Sequence, residues 1–524
     1  MKVIDSINDN FKKLQIKKND RMAIVTIIAA IFIYTLPLLL RLDKALTLTN
    51  KNCLAAWYRT YFLGLYPYAS VVFEHKFPFW SAFREGGFYW LMYPTELSCN
   101  IFSLFMLPFG VVKGLNFSWY ILYYLGALSM FYLTRFVLKF NIFGSIYASL
   151  VFSMCGFFPF MQGLGLWTRE TLLLPLLVGL FLKAKENKIF IFLAGLVLSL
   201  FVHTVLFFPV VILFLFLVSI LNPTENNNFV FRLKKENLIV FFSCLSLALL
   251  FSAYKLLPVI ELLTSDMRVS GLVYKSAIHQ PNTLSLFLRH MLVPENLNVG
   301  TMYIGFAPLF LAILSMVVFF KNSKKWIFIL LIFIILSFGP NAFIDLHYFL
   351  WHLPIFKSMR EISKYYSLII VFIISLLSGK FFSLFDYRKP LKVTTILSIF
   401  LLIFTFCDLL WANAGYFNIY NTKTSFSKPD NYSGNVKAIN IHKGDEGITD
   451  PLRLALYLKG FGLVNAQYHK FVQFFKESYI SPKYFIMPEY AFITPSTKLF
   501  VLYNPVYQGE AYFLDQKNKV ESFS

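Results

Sequence analysis

The sequence predicts an α-helical polytopic membrane protein, and three observations support that fold class. Of the 524 residues, 57% are hydrophobic and 14% are charged, whereas about 25% of residues are charged in soluble domains. The mean hydropathy is +0.62. Apolar runs at 22–40, 239–257 and 393–411 are long enough to cross the hydrocarbon core of a bilayer. A single soluble domain is therefore excluded.

The basic residues predict the topology. Lys and Arg side chains are frequent before the first apolar run, so the positive-inside tendency places residues 1–21 in the cytoplasm. Further basic clusters lie between apolar runs, near 135–139, 183–188, 232–235, 321–325 and 388–392. If these clusters are all cytoplasmic, about eleven helices cross the membrane, near 22–40, 117–136, 142–160, 170–183, 189–206, 207–222, 238–257, 303–320, 326–339, 365–385 and 393–412. The amino terminus is then cytoplasmic and the carboxyl terminus extracytoplasmic.

This topology divides the chain into three parts. They are a cytoplasmic segment at 1–21, a transmembrane domain at 22–412 with a large outer loop at 41–116, and an extracytoplasmic domain at 413–524. The apolar stretch near 100–112 is short and contains Pro108, so we expect it to be interfacial or re-entrant rather than spanning. In the carboxyl-terminal part, polar residues and prolines interrupt short β-prone pieces such as 499–503, which predicts a small α+β domain.

The charge distribution favours a membrane surface over nucleic acid as a partner. The formal net charge is +21, but the basic residues lie in short segments between apolar runs, as in loops beside an anionic leaflet. The five cysteines show no close pair and no metal-ligand spacing. The sequence therefore predicts no cofactor and no metal centre, and it leaves metal dependence and oligomeric state open.

The outer side of the predicted topology is richer in reactive residue types than the cytoplasmic side. All eight histidines fall on or near it, and loops positioned by a rigid scaffold are frequent sites of function. The first outer loop contains Trp80, Arg84 and Glu85 among aromatic and glycine residues. This composition indicates a sugar or lipid platform, and an aromatic belt at the membrane interface gives the same pattern. Other outer helix ends carry Trp167, Arg169, Glu170, Asp266, Arg268, Arg360 and Glu361.

Cations and carboxylates on one side of a bilayer suit a reaction on a lipid-linked phosphate. Transfer of a sugar from a polyprenyl phosphate needs cations on the phosphate leaving group and a carboxylate that takes the proton of the acceptor hydroxyl. Because the lipid tail stays in hydrocarbon while the sugar lies in water, the reaction must occur at helix ends and outer loops. We therefore expect an active site that faces outward.

Short motifs occur in a defined order along the chain. They are Pro78-Phe79-Trp80-Ser81 with Gly86-Gly87 and Tyr93-Pro94, Leu174-Pro175-Leu176, Leu257-Pro258, Ser265 to Arg268, Tyr303-Ile304-Gly305, Gly339, Leu353-Pro354-Ile355-Phe356 with Arg360, and Asp408-Leu409-Leu410. This order resembles the YfhO-type bacterial membrane proteins, which are similar in architecture to GT-C glycosyltransferases. The resemblance implies glycosylation of a cell-envelope polymer, typically teichoic acid, outside the cytoplasmic membrane. The implied donor is an undecaprenyl-phosphate sugar.

One position departs from the pattern of that family. Members usually carry an acidic residue in the first outer loop as the base, where this chain reads Asn50-Lys51-Asn52-Cys53-Leu54. Asp43 is the nearest carboxylate, and Glu74, Glu85 and Glu96 follow it. We predict Asp43 or Glu85 as the catalytic base.

The remaining predicted site residues bind substrate. Arg84, Arg268 and Arg360 are predicted to hold the donor phosphate, and Trp80 and Trp167 to stack on sugar faces. Two other functions stay open. The first is a flippase or transporter of lipid-linked sugars, which would require charged residues at mid-membrane depth. The second is a catalytically inactive protein that binds or assembles an envelope polymer, and the missing acidic residue of the first outer loop supports it.

Overall fold

The computed structural model describes the helical part of the chain and short pieces of the loops and the tail. The described residues are 18–43, 45–46, 67–68, 70–72, 75, 77–78, 80–81, 88–89, 91, 100–163, 168–204, 206–221, 234–264, 274, 283–294, 302–353, 356–359, 362–384, 392–413, 419–420, 438–441, 462–464, 491–494 and 499–503. Most of them lie in helices, which agrees with the predicted class of helical membrane protein.

The α-helices of the described residues extend along most of the chain, with a long connection between the first two. They are α1 Lys18–Leu39, α2 Met106–Phe109, α3 Val111–Tyr132, α4 Ile142–Met154, α5 Phe157–Gly163, α6 Leu174–Lys183, α7 Lys188–Leu200, α8 Phe208–Ile220, α9 Lys235–Phe251, α10 Ala253–Thr264, α11 Leu284–Leu292, α12 Phe306–Val318, α13 Phe320–Phe338, α14 Leu346–Trp351, α15 Ile362–Phe382 and α16 Lys392–Asn413. Short 3-10 helices lie at Ile101–Phe105, Arg169–Leu173, Phe201–Thr204, Gly339–Asn341 and Phe356–Ser358, and α3 continues into a π-helical turn at Leu133–Val137.

Short strands in the described residues form three small sheets. The strands are β1 Ala45–Leu46, β2 Trp80–Ser81, β3 Phe88–Tyr89, β4 Ile419–Tyr420, β5 Ala438–Ile441, β6 Gly462–Val464, β7 Ala491–Thr494 and β8 Leu499–Tyr503. Pairs β1–β4 and β2–β3 are antiparallel. The tail strands form one sheet in the order β6-β5-β8-β7, in which only the β5–β6 pair is parallel.

Fewer helices than the predicted number are long enough to cross a membrane. Among the described residues, six helices are long and apolar enough, or seven if the bent pair α9 and α10 counts as one span. Helices lie in every predicted span, but 142–160 contains two helices, α4 and α5, and 238–257 is divided between α9 and α10. Several of the other helices are short: α6 has 10 residues, and α8 and α12 have 13 each. At 1.5 Å per residue, a straight helix of about 13 residues covers roughly 20 Å of a core of about 30 Å.

The middle of the bundle is formed by α15. Nearly every residue of this helix is buried, and it packs against α4, α12 and α13. A Cβ atom on Gly379 would lie 2.6 Å from the Cβ of Ala148, so the absence of a side chain allows α15 and α4 to approach closely. In contrast, α1 and α16 expose many of their apolar side chains, such as Val25 and Phe400, as expected of helices that face lipid.

Polar contacts define two ends of the bundle. At one end, which we call the Asp20 end, Arg135 Nε donates to Asp20 Oδ1 at 2.8 Å and Asn141 Nδ2 donates to Ser383 O at 3.0 Å. At the other end, which we call the Asn413 end, the amide of Asn413 donates to Met154 O at 2.6 Å. The antiparallel pairing of β1 with β4 brings the residues that follow α1 next to those that follow α16. The chain therefore leaves its first and last long helices at the same end.

Candidate functional site

The structure describes few of the residues that the sequence predicts for the site. Asp43 is exposed in the turn after α1. Trp80 opens β2, where its backbone pairs with Tyr89. The side chain of Trp80 and all of Arg84, Glu85, Trp167, Arg268 and Arg360 lie outside the described residues. Their roles and mutual positions therefore stay predictions.

A buried group of polar residues lies at the Asn413 end of the bundle. It consists of Asn100, Ser103, Ser118, Arg169 and Glu170, and we call it the Arg169 cluster. Leu42 O, next to Asp43, accepts a hydrogen bond from Asn116 Nδ2 at 2.8 Å. Asn116 precedes Ser118 by two positions on α3, so the turn after α1 and the cluster lie at the same level of α3 but on different faces of this helix.

The local sequence explains why Arg169 and Glu170 point inward. They begin the 3-10 helix Arg169–Leu173, in which every residue is buried, and α6 follows with Pro175 in its first turn. Proline fits the first turn of a helix because the missing N–H has no intrahelical partner there. Thr168 O accepts the backbone N–H of Thr171 at 2.9 Å, and the Thr171 hydroxyl donates to the same oxygen.

Each nitrogen of the Arg169 guanidinium has a partner among its neighbours. Only 2% of this residue is exposed. Its Nη1 donates to Ser118 Oγ at 2.7 Å and its Nη2 to Ser103 Oγ at 2.9 Å, while Nε lies 3.0 Å from Glu170 Oε1. A buried guanidinium needs such partners because burial removes its hydration.

Glu170 is satisfied on one oxygen only. Its Oε1 accepts from Arg169 and, at 2.5 Å, from Asn100 Nδ2. Its Oε2 is buried and has no hydrogen-bond partner among the residues that the structure describes. The cluster thus presents a fixed carboxylate with one oxygen that is still able to accept a proton or a hydrogen bond.

The segment Asn100–Phe109 covers this cluster, and we call it the outer strap. Its buried residues Asn100 and Ser103 contact Glu170 and Arg169. Its apolar residues Ile101 and Leu104 are each 57% exposed. Together the strap's two short helices are far shorter than a membrane span, and their placement at the interface stays a prediction.

Two glycines shape the connection between the strap and α3. Gly110 has φ +76° and ψ 171°, a backbone conformation that is essentially restricted to glycine. A Cβ atom on Gly114 would lie 2.5 Å from Met106 Cα and 2.6 Å from Phe105 O. The strap can fold back tightly on α3 because position 114 has no side chain.

A second polar group lies at the same end, on α14 and its neighbours. Tyr274 OH donates to Asp345 Oδ1 at 2.9 Å, and the same carboxylate caps α14 by accepting from Tyr348 N. His347 is fully buried, its Nδ1 lies 2.8 Å from Tyr366 OH, and its Nε2 has no hydrogen-bond partner among the described residues. Burial lowers the pKa of His347 to about 4, although the nearby Asp345 acts in the opposite direction. His347 is therefore neutral at physiological pH.

Sequence reasoning missed Lys255, which lies at a sharp bend. The helices α9 and α10 meet at 78°, and Lys255 is in the first turn of α10 with no exposed surface. Its Nζ donates to Leu91 O at 3.1 Å, and the adjacent Tyr254 OH lies 3.1 Å from His203 Nε2. A lysine inside the apolar run 238–257 was the available signal, because charged residues in such runs are rare and often functional.

No resident metal centre is evident in the described part of the chain. Among those residues no group of three or more His, Cys, Asp or Glu side chains is placed to hold a metal ion.

Comparisons with known protein families, with characterised proteins and with solved structures find no match for this chain. The assignment of function therefore depends on the residues and their geometry.

Proposed function

We propose that the protein is a membrane glycosyltransferase of GT-C-like architecture. The donor is a sugar on a polyprenyl phosphate, and the acceptor is a cell-envelope polymer such as teichoic acid on the outer face of a bacterial cytoplasmic membrane. The observation that supports this proposal best is the Arg169 cluster. It places a buried cation and a carboxylate with an open oxygen at one end of an apolar helical bundle.

The chemistry at such a site follows from its charges and its position. Departure of a lipid phosphate from the sugar requires nearby cations, and attack by the acceptor requires a base. The Arg169 cluster lies behind a strap with an apolar outer side, so a lipid-linked donor can approach from the bilayer. Arg84, Arg268 and Arg360 are proposed to hold the donor phosphate, Trp80 and Trp167 to stack on sugar, and Asp43 and Glu85 are the sequence candidates for the base.

The proposed topology has about eleven spans, with the amino terminus in the cytoplasm. The Asn413 end then faces outward, and residues 413–524 form an external α+β domain. Two features support this arrangement. Arg135, from one of the basic clusters, contacts Asp20 beside the predicted cytoplasmic segment 1–21, and the pairing of β1 with β4 agrees with first and last helices that end on the same side. The resemblance to YfhO-type proteins points to the same architecture.

The test is an analysis of envelope sugars in the organism that encodes the chain. The gene is deleted and complemented with wild type, Asp43→Asn, Glu85→Gln or Arg360→Ala. The sugar-to-phosphate ratio of purified teichoic acid is then measured. We expect the sugar to disappear in the deletion strain and to return with wild type. A variant that fails to restore the sugar identifies an essential side chain.

Glu186→Gln is the matched control for Glu85→Gln. Glu186 is exposed and pairs with Lys183 at 2.6 Å in a predicted cytoplasmic loop, so its loss should leave glycosylation intact. An unchanged sugar pattern in the deletion strain, in teichoic acid and in the other envelope polysaccharides, would contradict the proposal. The flippase and the polymer-binding functions would then be the ones to test.

A further inference from the structure

The open oxygen of Glu170 is an unusual feature of a buried ion pair. Both described donors to this carboxylate, Asn100 and Arg169, contact Oε1, and Oε2 is buried without a partner among the described residues. A buried polar atom that has lost water without gaining a partner is unfavourable and calls for an explanation. A polar group of a ligand would satisfy it. Ionised carboxylate oxygens only accept, so that group must be a donor, such as a hydroxyl.

The surroundings of Glu170 indicate where that ligand comes from. The outer strap separates the carboxylate from the exterior, and the opposite side of the strap exposes Ile101, Leu104 and Phe109. These side chains form an apolar surface of the kind that packs against lipid chains. A molecule with a hydrocarbon tail and a hydroxylated headgroup therefore fits this region. Its tail would contact the exposed apolar side of the strap, and its headgroup would reach Glu170 on the buried side.

The strap is attached in a way that permits it to open. At its start it is held by the contacts of Asn100 with Glu170 and of Ser103 with Arg169. At its end lies Gly110, where the wide φ range of glycine allows a hinge. Opening the strap also separates Phe105 and Phe109 from Phe117 of α3. Lifting the strap about Gly110 would uncover Glu170 while α3 and the 3-10 helix that carries Arg169 stay in place.

We propose that Glu170 is the catalytic base and that the outer strap opens to admit the lipid-linked sugar and the acceptor. This inference depends on the proposed glycosyltransferase function and deepens it. In the step, the acceptor hydroxyl gives its proton to Glu170 Oε2 while its oxygen bonds to the anomeric carbon of the sugar. The bond from that carbon to the phosphate oxygen breaks, and the electron pair leaves with the polyprenyl phosphate. Arg169 and Asn100 keep the carboxylate in position throughout.

The first test compares glutamate-to-glutamine variants in the complemented deletion strain. Expression is kept low enough for the enzyme to limit the sugar-to-phosphate ratio of purified teichoic acid. Glu170→Gln should lower the rate of sugar addition by about 100-fold or more, the range that a general base contributes. Glu186→Gln, at the other end of the bundle, should leave the rate unchanged. Glu170→Asp, which keeps a carboxylate, should recover part of the activity.

A second variant separates catalysis from folding. Glu170→Gln leaves Arg169 buried without its anionic partner, which can lower the amount of folded protein. The double variant Arg169→Gln with Glu170→Gln removes both charges and keeps side chains of similar polarity. The amount of each variant in the membrane is measured by immunoblotting. We expect the double variant to be present at the wild-type level and to be inactive.

The outcomes distinguish the assignment of Glu170 as the base from the proposed glycosyltransferase function. If deletion abolishes the sugar and either Glu170→Gln or the double variant restores it fully, the assignment of Glu170 is overturned and the glycosyltransferase function stands. Full loss in Asp43→Asn or Glu85→Gln, with Glu170→Gln active, would assign the base to that residue. If the deletion changes no sugar, the proposed function fails, and the assignment fails with it.

Discussion

Two ion pairs at opposite ends of the bundle are built from the same groups but in different surroundings. Arg135 and Asp20 meet at 2.8 Å, and Arg169 and Glu170 meet at 3.0 Å. The Arg135 side chain is 26% exposed, whereas that of Arg169 is 3% exposed. Asp20 also lies in the first turn of α1, where the helix dipole favours a negative charge.

The difference between the pairs suggests different roles. In the first pair Asp20 is buried while Arg135 still reaches water, and the pair fixes a helix end and stabilises the fold. The second is fully buried, and Glu170 keeps an oxygen without a partner in the described structure. Since a buried ion pair is weak support for stability by itself, the geometry of the second pair is better explained by a ligand. The predictions below test this contrast, from the largest expected effect to the smallest.

Removal of the arginine should affect the two pairs unequally. Arg169→Met leaves Glu170 buried with no compensating charge, and we expect a loss of about 3–5 kcal/mol in the free energy of unfolding. Arg135→Met also leaves a buried carboxylate, but the dipole at the start of α1 still favours the charge of Asp20, so we expect a loss about 1–2 kcal/mol smaller. Thermal unfolding of the protein purified in detergent provides the measurement. Equal losses for the two variants would remove the contrast between the two ends.

The second prediction concerns pH and the buried His347. Its pKa in the folded protein is about 4, below the value of about 6.5 in an unfolded chain. As the pH falls from about 6.5 toward 4, the unfolded chain binds a proton that the folded protein does not, so stability decreases in this window by up to about 3 kcal/mol. Below pH 4 both states are protonated at this residue, and the effect levels off.

The control for this prediction is a neighbouring histidine on the surface. His347→Gln should weaken the decrease in stability between pH 6.5 and 4, as followed by thermal unfolding at a series of pH values. His352→Gln should retain it, because His352 is exposed. A variant at 347 with the same pH profile as wild type would show that another group causes the decrease.

Close packing of the strap gives the third prediction. Gly114→Ala would force a Cβ atom against the backbone of Met106 and Phe105, and overpacking of this kind costs about 1–3 kcal/mol. The added methyl group should push the strap away from α3. A cysteine that replaces Ser103 should therefore react faster with a thiol reagent in the Gly114→Ala protein than in the protein with Gly114. The comparison uses Gly144→Ala, which crowds α15 at the Asp20 end. Faster labelling of position 103 in both variants would argue against a local effect on the strap.

The sequence predicts the helical part of the protein well because hydrophobic length is a local property. Helical residues lie in every predicted span, although only six or seven helices are long enough to cross a membrane, and the β-prone piece 499–503 is strand β8. The bend between α9 and α10 was not predicted. The apolar run continues through it without interruption, and the turn at Ser252 lacks the proline or glycine that usually signals a break.

The candidate site is harder to predict because it depends on contacts between distant segments. Arg169 and Glu170 have the sequence pattern of ordinary interface anchors. Their burial depends on Asn100 and Ser103, which precede them by 66 residues or more, and on Ser118 of α3. No local sequence pattern predicts that these distant residues contact one another. Glycines 110 and 114 likewise gain their meaning only when the strap folds back on α3.

The smallest expected effect belongs to an exposed ion pair at the Asp20 end. Lys183 Nζ contacts Glu186 at 2.6 Å, and the Glu186 side chain is 62% exposed. Glu186→Gln should change the free energy of unfolding by about 0.5 kcal/mol or less, because water screens the pair and solvates either partner alone. Thermal unfolding at low and at high salt measures this, and wild type and variant should differ little at either ionic strength. A larger loss would mean that charge pairs at the Asp20 end also depend on burial. The unusual position of Glu170 would then reflect a general property of this fold rather than a site prepared for a substrate.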